Sequence, residues 1–251
     1  MRALCAAVAL TFLACGKTPT PIDSGTPVDT SCGLDCDAQK RYGLLLNTCF
    51  EYADGPTATN PPALGVFVRE VFTLEGGVKV LVVEYSVGGQ KKMTDSFSIK
   101  DGRLLLMRRE FSLGSVTYKA MPTEIVGVAW LEPESGNNSN VSTTANADVL
   151  LGAVRKTEST TYRVTLANAS GSQLATPAGG FDAGFQMLFS EDPDHGSDGL
   201  RIWVPNVGFV NFSSTFALTP GGTSTQYRLQ RIRTIDPLSD AGEKPCSTGT
   251  P

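Results

Sequence analysis

Between residues 63 and 234 the apolar side chains recur at every second position, and no other feature limits the fold of this chain so strongly. A helix repeats its buried face every three to four residues, whereas a strand sends alternate side chains to opposite faces. Met93, Phe97 and Ile99 share one parity, and Thr94, Ser96, Ser98 and Lys100 the other. Tyr162, Val164 and Leu166 alternate with Arg163 and Thr165, and Val210, Phe212, Phe216 and Leu218 alternate with Asn211, Ser213 and Thr215. Residues 80–83 and 104–107 are apolar on both parities, which predicts central strands covered on both faces.

Turn chemistry supports the same reading. Asp101-Gly102 and Gly88-Gly89 each separate two strand-like runs by two residues that tolerate positive φ, the signature of a tight hairpin. Glu75-Gly76-Gly77 and Gly221-Gly222 mark further reversals. The spacing predicts about ten to twelve strands joined mostly to their neighbours, an all-β antiparallel meander forming a barrel, a half-barrel or a sandwich. No strand–helix alternation of the parallel α/β kind is present. Residues 134–147, rich in Asn, Ser and Thr, read as a surface excursion. One short helix is predicted near the N-terminus, over residues 35–46.

Cys32, Cys36, Cys49 and Cys246 bracket the strand-forming region. An even set fits two disulfides in an exported domain, and four cysteines allow three pairings. The expected pairing is Cys36 with Cys49, tying the helix to the strand near Phe50, and Cys32 with Cys246, joining the two ends of the domain. The spacing matches no zinc finger or ribbon, and no metal or other cofactor is expected.

The N-terminus sets the compartment. Arg2 precedes an apolar run over residues 3–14 that is too short to span a bilayer, and small Ala14 stands before Cys15 and Gly16. Phe12-Leu13-Ala14-Cys15 resembles the lipobox of bacterial lipoproteins, with Phe12 where that family usually has Leu. The resemblance implies a signal peptide over residues 1–14 and a mature chain that begins at Cys15. That cysteine would carry thioether-linked diacylglycerol and an amide-linked acyl chain such as palmitate. Residues 16–31, GKTPTPIDSGTPVDTS, have almost nothing to bury and read as a disordered tether ahead of a single β domain over residues 32–251. In enterobacterial members an Asp after the lipidated cysteine marks inner-membrane retention. Gly16 at that position therefore implies the outer membrane, with the domain facing the periplasm or the cell surface.

Losing Arg2 with the signal peptide leaves 20 basic against 25 acidic residues, a formal charge of −5. That balance argues against a nucleic-acid partner, which needs a basic surface.

Polar chemistry concentrates in residues 190–199, SEDPDHGSDG. Glu191, Asp192, Asp194 and Asp198 are hard oxygen donors suited to calcium, yet Gly196 at the fifth position breaks the EF-hand pattern. His195 is the sole histidine, and no nucleophile elbow, Walker loop or dinucleotide fingerprint accompanies it. No catalytic residue is assigned, and the chain is expected not to be an enzyme. Arg108-Arg109-Glu110 puts adjacent arginines on opposite faces of a strand, so one should point inward and need a carboxylate, an anionic ligand or a lipid headgroup. Lys91, Lys92, Arg228, Arg231 and Arg233 read as edge or rim charges, and Trp130 and Trp203 as core.

Pro205, Val207, Gly208 and Val210 resemble an element near the C-terminus of uncharacterised bacterial envelope lipoproteins built from curved antiparallel sheets. That resemblance implies a half-barrel whose concave face can hold acyl chains. The expected role is a noncatalytic structural or interaction module that binds another envelope protein. The alternative is a binder of a hydrophobic ligand in the sheet's concavity.

Overall fold

The computed structural model describes residues 32–59, 61–113, 116–122, 128–131, 139–192, 199–214, 225–235 and 246. The expected helix forms over Cys36–Tyr42 (α1). Asp35 caps it by accepting from the Ala38 backbone N–H, and Gly43 ends it in the left-handed conformation, donating to the carbonyls of Gln39 and Lys40. The helix is thus shorter than residues 35–46 suggested. Leu44, Leu45 and Leu46 follow the glycine and leave the helical path.

Fifteen strands follow among the described residues: β1 (Thr48–Asp54), β2 (Leu64–Thr73), β3 (Lys79–Val87), β4 (Gln90–Lys100), β5 (Arg103–Leu113), β6 (Val116–Pro122), β7 (Val128–Leu131), β8 (Ser139–Leu151), β9 (Val154–Ala169), β10 (Ala175–Thr176), β11 (Gly179–Gly180), β12 (Gly184–Asp192), β13 (Gly199–Val204), β14 (Gly208–Ser214) and β15 (Thr225–Thr234). All but β10 and β11, which pair with each other, belong to one 13-stranded sheet in the order β4-β3-β2-β1-β15-β14-β13-β12-β9-β8-β6-β5-β7, and β4 also pairs with β5. Every ladder is antiparallel, as an all-β meander requires. The sheet curls until β4 and β5 are partners, so all its strands except β7, which sits beside β6 on one edge of β5, follow one another in a cycle.

The turns behave as their residues dictate. Asp101 and Gly102 both take positive φ (51° and 74°), as do Gly88 and Gly89 (56° and 71°), the geometry that matches strand twist in a two-residue hairpin. Residues 139–147, expected in a surface excursion, instead belong to β8, which pairs with β9 over its whole length. Its Ser- and Thr-rich sequence hides the strand from a hydrophobicity count. Its ladder to β9 nevertheless fixes it, and the hydroxyls of Thr144 and Thr161 lie 3.0 Å apart across the pair.

Successive inward positions form the core: Phe50 and Tyr52 on β1, Val66 and Val68 on β2, Leu81, Val83 and Tyr85 on β3, Met93 and Phe97 on β4, Met187 and Phe189 on β12. Helix α1 seals one end of this core. Tyr42 is fully buried, donates its hydroxyl to the Gly102 carbonyl at 2.6 Å and lies against the Trp203 ring, while the Arg41 carbonyl accepts from the Asn206 N–H at 2.9 Å. The β4–β5 and β13–β14 turns are therefore its two docking points. Gly43 makes this approach possible, because a Cβ there would fall 2.4 Å from the Val207 carbonyl group. The glycine of the Pro205-Asn206-Val207-Gly208 element has a matching job at φ 108°, turning back into β14 against the Phe50 ring.

The disulfides join Cys32 to Cys36 and Cys49 to Cys246, not the expected pairs. The parity of β1 explains the difference. Phe50 and Tyr52 point into the core beneath the helix, so Cys49 points to the outer face. There it meets Cys246, Phe67 and Ile235 in a second small apolar cluster, and Gly65 leaves room for Cys246. Cys36, in the first turn of α1, is left to its near neighbour Cys32.

Candidate functional site

The half of the interior away from α1 carries a polar and aromatic belt. Asp95 on β4 and Arg109 on β5 are directly opposed in the ladder and both inward-facing. Arg109 Nε and Nη2 donate to the two Asp95 carboxylate oxygens at 2.6 and 2.8 Å, with the residues 3 % and 0 % exposed. The Tyr85 hydroxyl donates to the same carboxylate at 3.2 Å. Burial alone would pull the Arg109 guanidinium down, but Asp95 outweighs it and holds the group above its ordinary value.

A second buried guanidinium, Arg201 on β13, lies among three rings, 5.1 Å from Phe212, 5.5 Å from Tyr85 and 5.8 Å from Phe209. Burial pulls it below its usual value, and the aromatic faces supply part of the compensation. Arg109 in turn lies over Phe189 at 4.9 Å, and Tyr52 donates its hydroxyl to the Phe209 carbonyl at 2.7 Å. Glu191, buried at the end of β12, is paired in register with Tyr162 on β9. Burial raises Tyr52, Tyr85 and Tyr162 above the usual tyrosine range, and the Tyr52 and Tyr85 hydroxyls act as donors.

Two carboxylates, Asp95 and Glu191, face two guanidiniums, Arg109 and Arg201, so the four formal charges sum to zero. Both oxygens of Asp95 already accept, which leaves it poorly placed to take a proton from a substrate. The inward arginine expected from Arg108-Arg109-Glu110 is Arg109, and it takes the buried carboxylate rather than an outside anion. Arg108 pairs with Glu110 on the other face. Trp203 is core, whereas the Trp130 side chain falls outside the described set.

The residues 190–199 are only partly described. Glu191 turns inward, and exposed Asp192 stands 3.7 Å from Arg163. Asp194, His195 and Asp198 lie outside the described residues, as do Cys15 and the tether. Among the described residues no three His, Cys, Asp or Glu side chains cluster closely enough to hold a metal, and no helix is long and apolar enough to cross a membrane.

Three buried charges, Asp95, Arg201 and Glu51, escaped the sequence reading. Arg201 shares its parity with Trp203 in an otherwise apolar strand, and that shared parity was the available signal. Glu51, 1 % exposed on the outer face of β1, is held by Arg231 and by Arg233 at 2.9 Å. Its position between Phe50 and Tyr52 was the equivalent clue. The supposed rim arginines of β15 are therefore partners of a buried carboxylate, while Arg228 donates to the carbonyls of Ser172 and Ala175. Lys91 does serve as an exposed charge, pairing with Glu84.

No protein-family model matches this chain, and no curated protein matches it. Among solved structures, it is similar to a Parabacteroides distasonis protein provisionally described as a lipoprotein, at 15 % identity and a TM-score of 0.31, over 75 % of this chain and 95 % of the other.

Proposed function

We propose that the chain is a lipid-anchored lipoprotein of the bacterial outer membrane, acylated on Cys15, whose β domain is a noncatalytic module that binds another envelope protein. The observation that carries this reading is the succession of Leu13-Ala14-Cys15, a tether with nothing to bury, and a domain holding two disulfides. The interior supports a binding role exerted from the surface, since its charges are matched internally and Arg201 is packed among the domain's own rings.

Four measurements test it. The intact mass of protein extracted from membranes should exceed that of the residue 15–251 polypeptide by a diacylglyceryl group and an acyl chain, and Cys15→Ser should release the protein into the soluble fraction. An unmodified chain cut near Ala14 would overturn the anchor. Native mass spectrometry of the Cys15→Ser protein, prepared without detergent, should give the bare mass less four hydrogens for the two disulfides. An added mass removed by organic solvent would overturn the interaction reading in favour of a carrier of hydrophobic ligands. Crosslinking in intact cells should then capture a discrete envelope protein with the wild type, and a wild type that crosslinks to nothing would count against a protein partner.

A further inference from the structure

We propose that the helix-capped end of the domain rests on the lipid headgroup layer, with Phe72 as its contact residue, and that the opposite end is presented away from the membrane. The inference rests on the Cys15 anchor and adds an orientation to it.

The described chain enters the domain at Cys32, beside α1. Its next residue, Gly33, lies so close to Val71 that a Cβ there would fall 1.8 Å from the Val71 methyl. Phe72 follows directly and is 51 % exposed at the end of β2, the largest aromatic side chain left in water among the described residues. The chain therefore enters the domain at the same end of β2 as an exposed aromatic, which projects from the outer face of that strand. Only 16 residues lie between Cys15 and Cys32. A flexible chain of that length has a root-mean-square span of about 23 Å. A strand as long as β5, with 11 residues, extends about 36 Å. Turning the far end toward the bilayer would make the tether run the length of the domain, so the chain's entropy holds the α1 end nearest the lipid.

The chemistry of this end suits headgroups rather than hydrocarbon. Lys40 and Arg41 on α1 are exposed, and Tyr42 links that helix to Gly102, between exposed Lys100 and Arg103. Asp35, Asp37 and Asp101 are interspersed among these four cations. Such a mixed rim stays hydrated, while one aromatic ring can enter the interfacial region. The charges nearly cancel, so tether length and Phe72 set the orientation.

The other two exposed large apolar residues among the described residues act as internal controls. Leu188, 46 % exposed, lies midway along β12, and Val154, 68 % exposed, begins β9 beside the turn at Gly152, at the end opposite α1. Acylated Phe72→Trp, Leu188→Trp and Val154→Trp proteins, reconstituted through the native anchor into phosphatidylethanolamine–phosphatidylglycerol vesicles, would be compared for quenching by headgroup-nitroxide lipid, each relative to the parent with its two native tryptophans. Phe72→Trp should be quenched at least twofold more than either of the others. Strongest quenching at Val154→Trp would overturn the orientation, and no excess quenching at any position would show a domain held clear of the lipid, which also overturns it. A protein without the acyl mass signals failure of the anchor itself, separately from these outcomes.

Discussion

Arg109 grips both carboxylate oxygens of Asp95 across the β4–β5 ladder, at 2.6 and 2.8 Å, where neither side chain meets water. Such a pair recovers its desolvation cost only while both partners are present. Asp95→Asn should therefore destabilise the domain by about 3–5 kcal/mol, because it strands a buried guanidinium. The double replacement Asp95→Leu with Arg109→Met should recover most of that loss. Urea unfolding of the three proteins checks this, and a double variant as unstable as the single one would mean that the pair supplies more than mutual neutralisation.

Gly43 offers a way to separate backbone strain from steric contact. It has φ 67° and a virtual Cβ 2.4 Å from the Val207 carbonyl, whereas Gly77 has φ 83° and nothing within 4 Å of its virtual Cβ. Both Ala variants incur the left-handed penalty of about 1–2 kcal/mol. Only Gly43→Ala also pushes α1 off the β13–β14 turn, so its thermal midpoint should fall clearly below that of Gly77→Ala. Equal midpoints would show that the helix can back away at no cost.

The two disulfides should differ in their contribution to stability. Cys49–Cys246 links residues 197 apart and Cys32–Cys36 residues 4 apart. Chain entropy then assigns about 5 kcal/mol to the first and about 2 kcal/mol to the second, before any strain. Cys246→Ser should accordingly lower the urea midpoint more than Cys36→Ser does. The reverse order would indicate that fastening the first turn of α1 matters more than fixing the C-terminal segment to β1.

The same contrast between local and distant constraints marks what could be read from sequence. The Asp101-Gly102 and Gly88-Gly89 hairpins were legible because a two-residue turn with positive φ is written in two adjacent residues. The inward arginine at 108–109 was legible because strand parity is local. The Cys49–Cys246 bond was not, since it depends on Cys246 meeting Cys49 on the outer face of β1, and that is settled by packing among residues far apart in the chain. Strand β8 was hidden for a different reason: its sequence is rich in Ser, Thr and Asn, with Asn140, Ser142, Thr144 and Asn146 exposed, so its ladder partners, and not its own hydrophobicity, make it a strand. Arg201 and Glu51 were missed because a charge flanked by apolar residues reads as an outward position until its facing partners are known.

The buried tyrosines give the domain an alkaline limit. Burial raises Tyr52 and Tyr85 above the usual range, and it raises Tyr227, near Asp54, to about 12. A tyrosine whose folded pKa lies above its unfolded value of about 10 adds stability that is whole below pH 10 and declines as pH rises toward the folded pKa. In that window the unfolded chain binds fewer protons than the native one, so each such tyrosine costs up to about 1.4 kcal/mol per pH unit. With three or more titrating together, the domain should unfold cooperatively above pH 10 before these hydroxyls ionise in place. Tyrosinate absorbance and far-ultraviolet circular dichroism should thus change in one coincident step for most of the six tyrosines. Tyr227→Phe should move that step upward by relieving one of the protons, and gradual ionisation near pH 10 with the sheet intact would show that the hydroxyls are open to solvent.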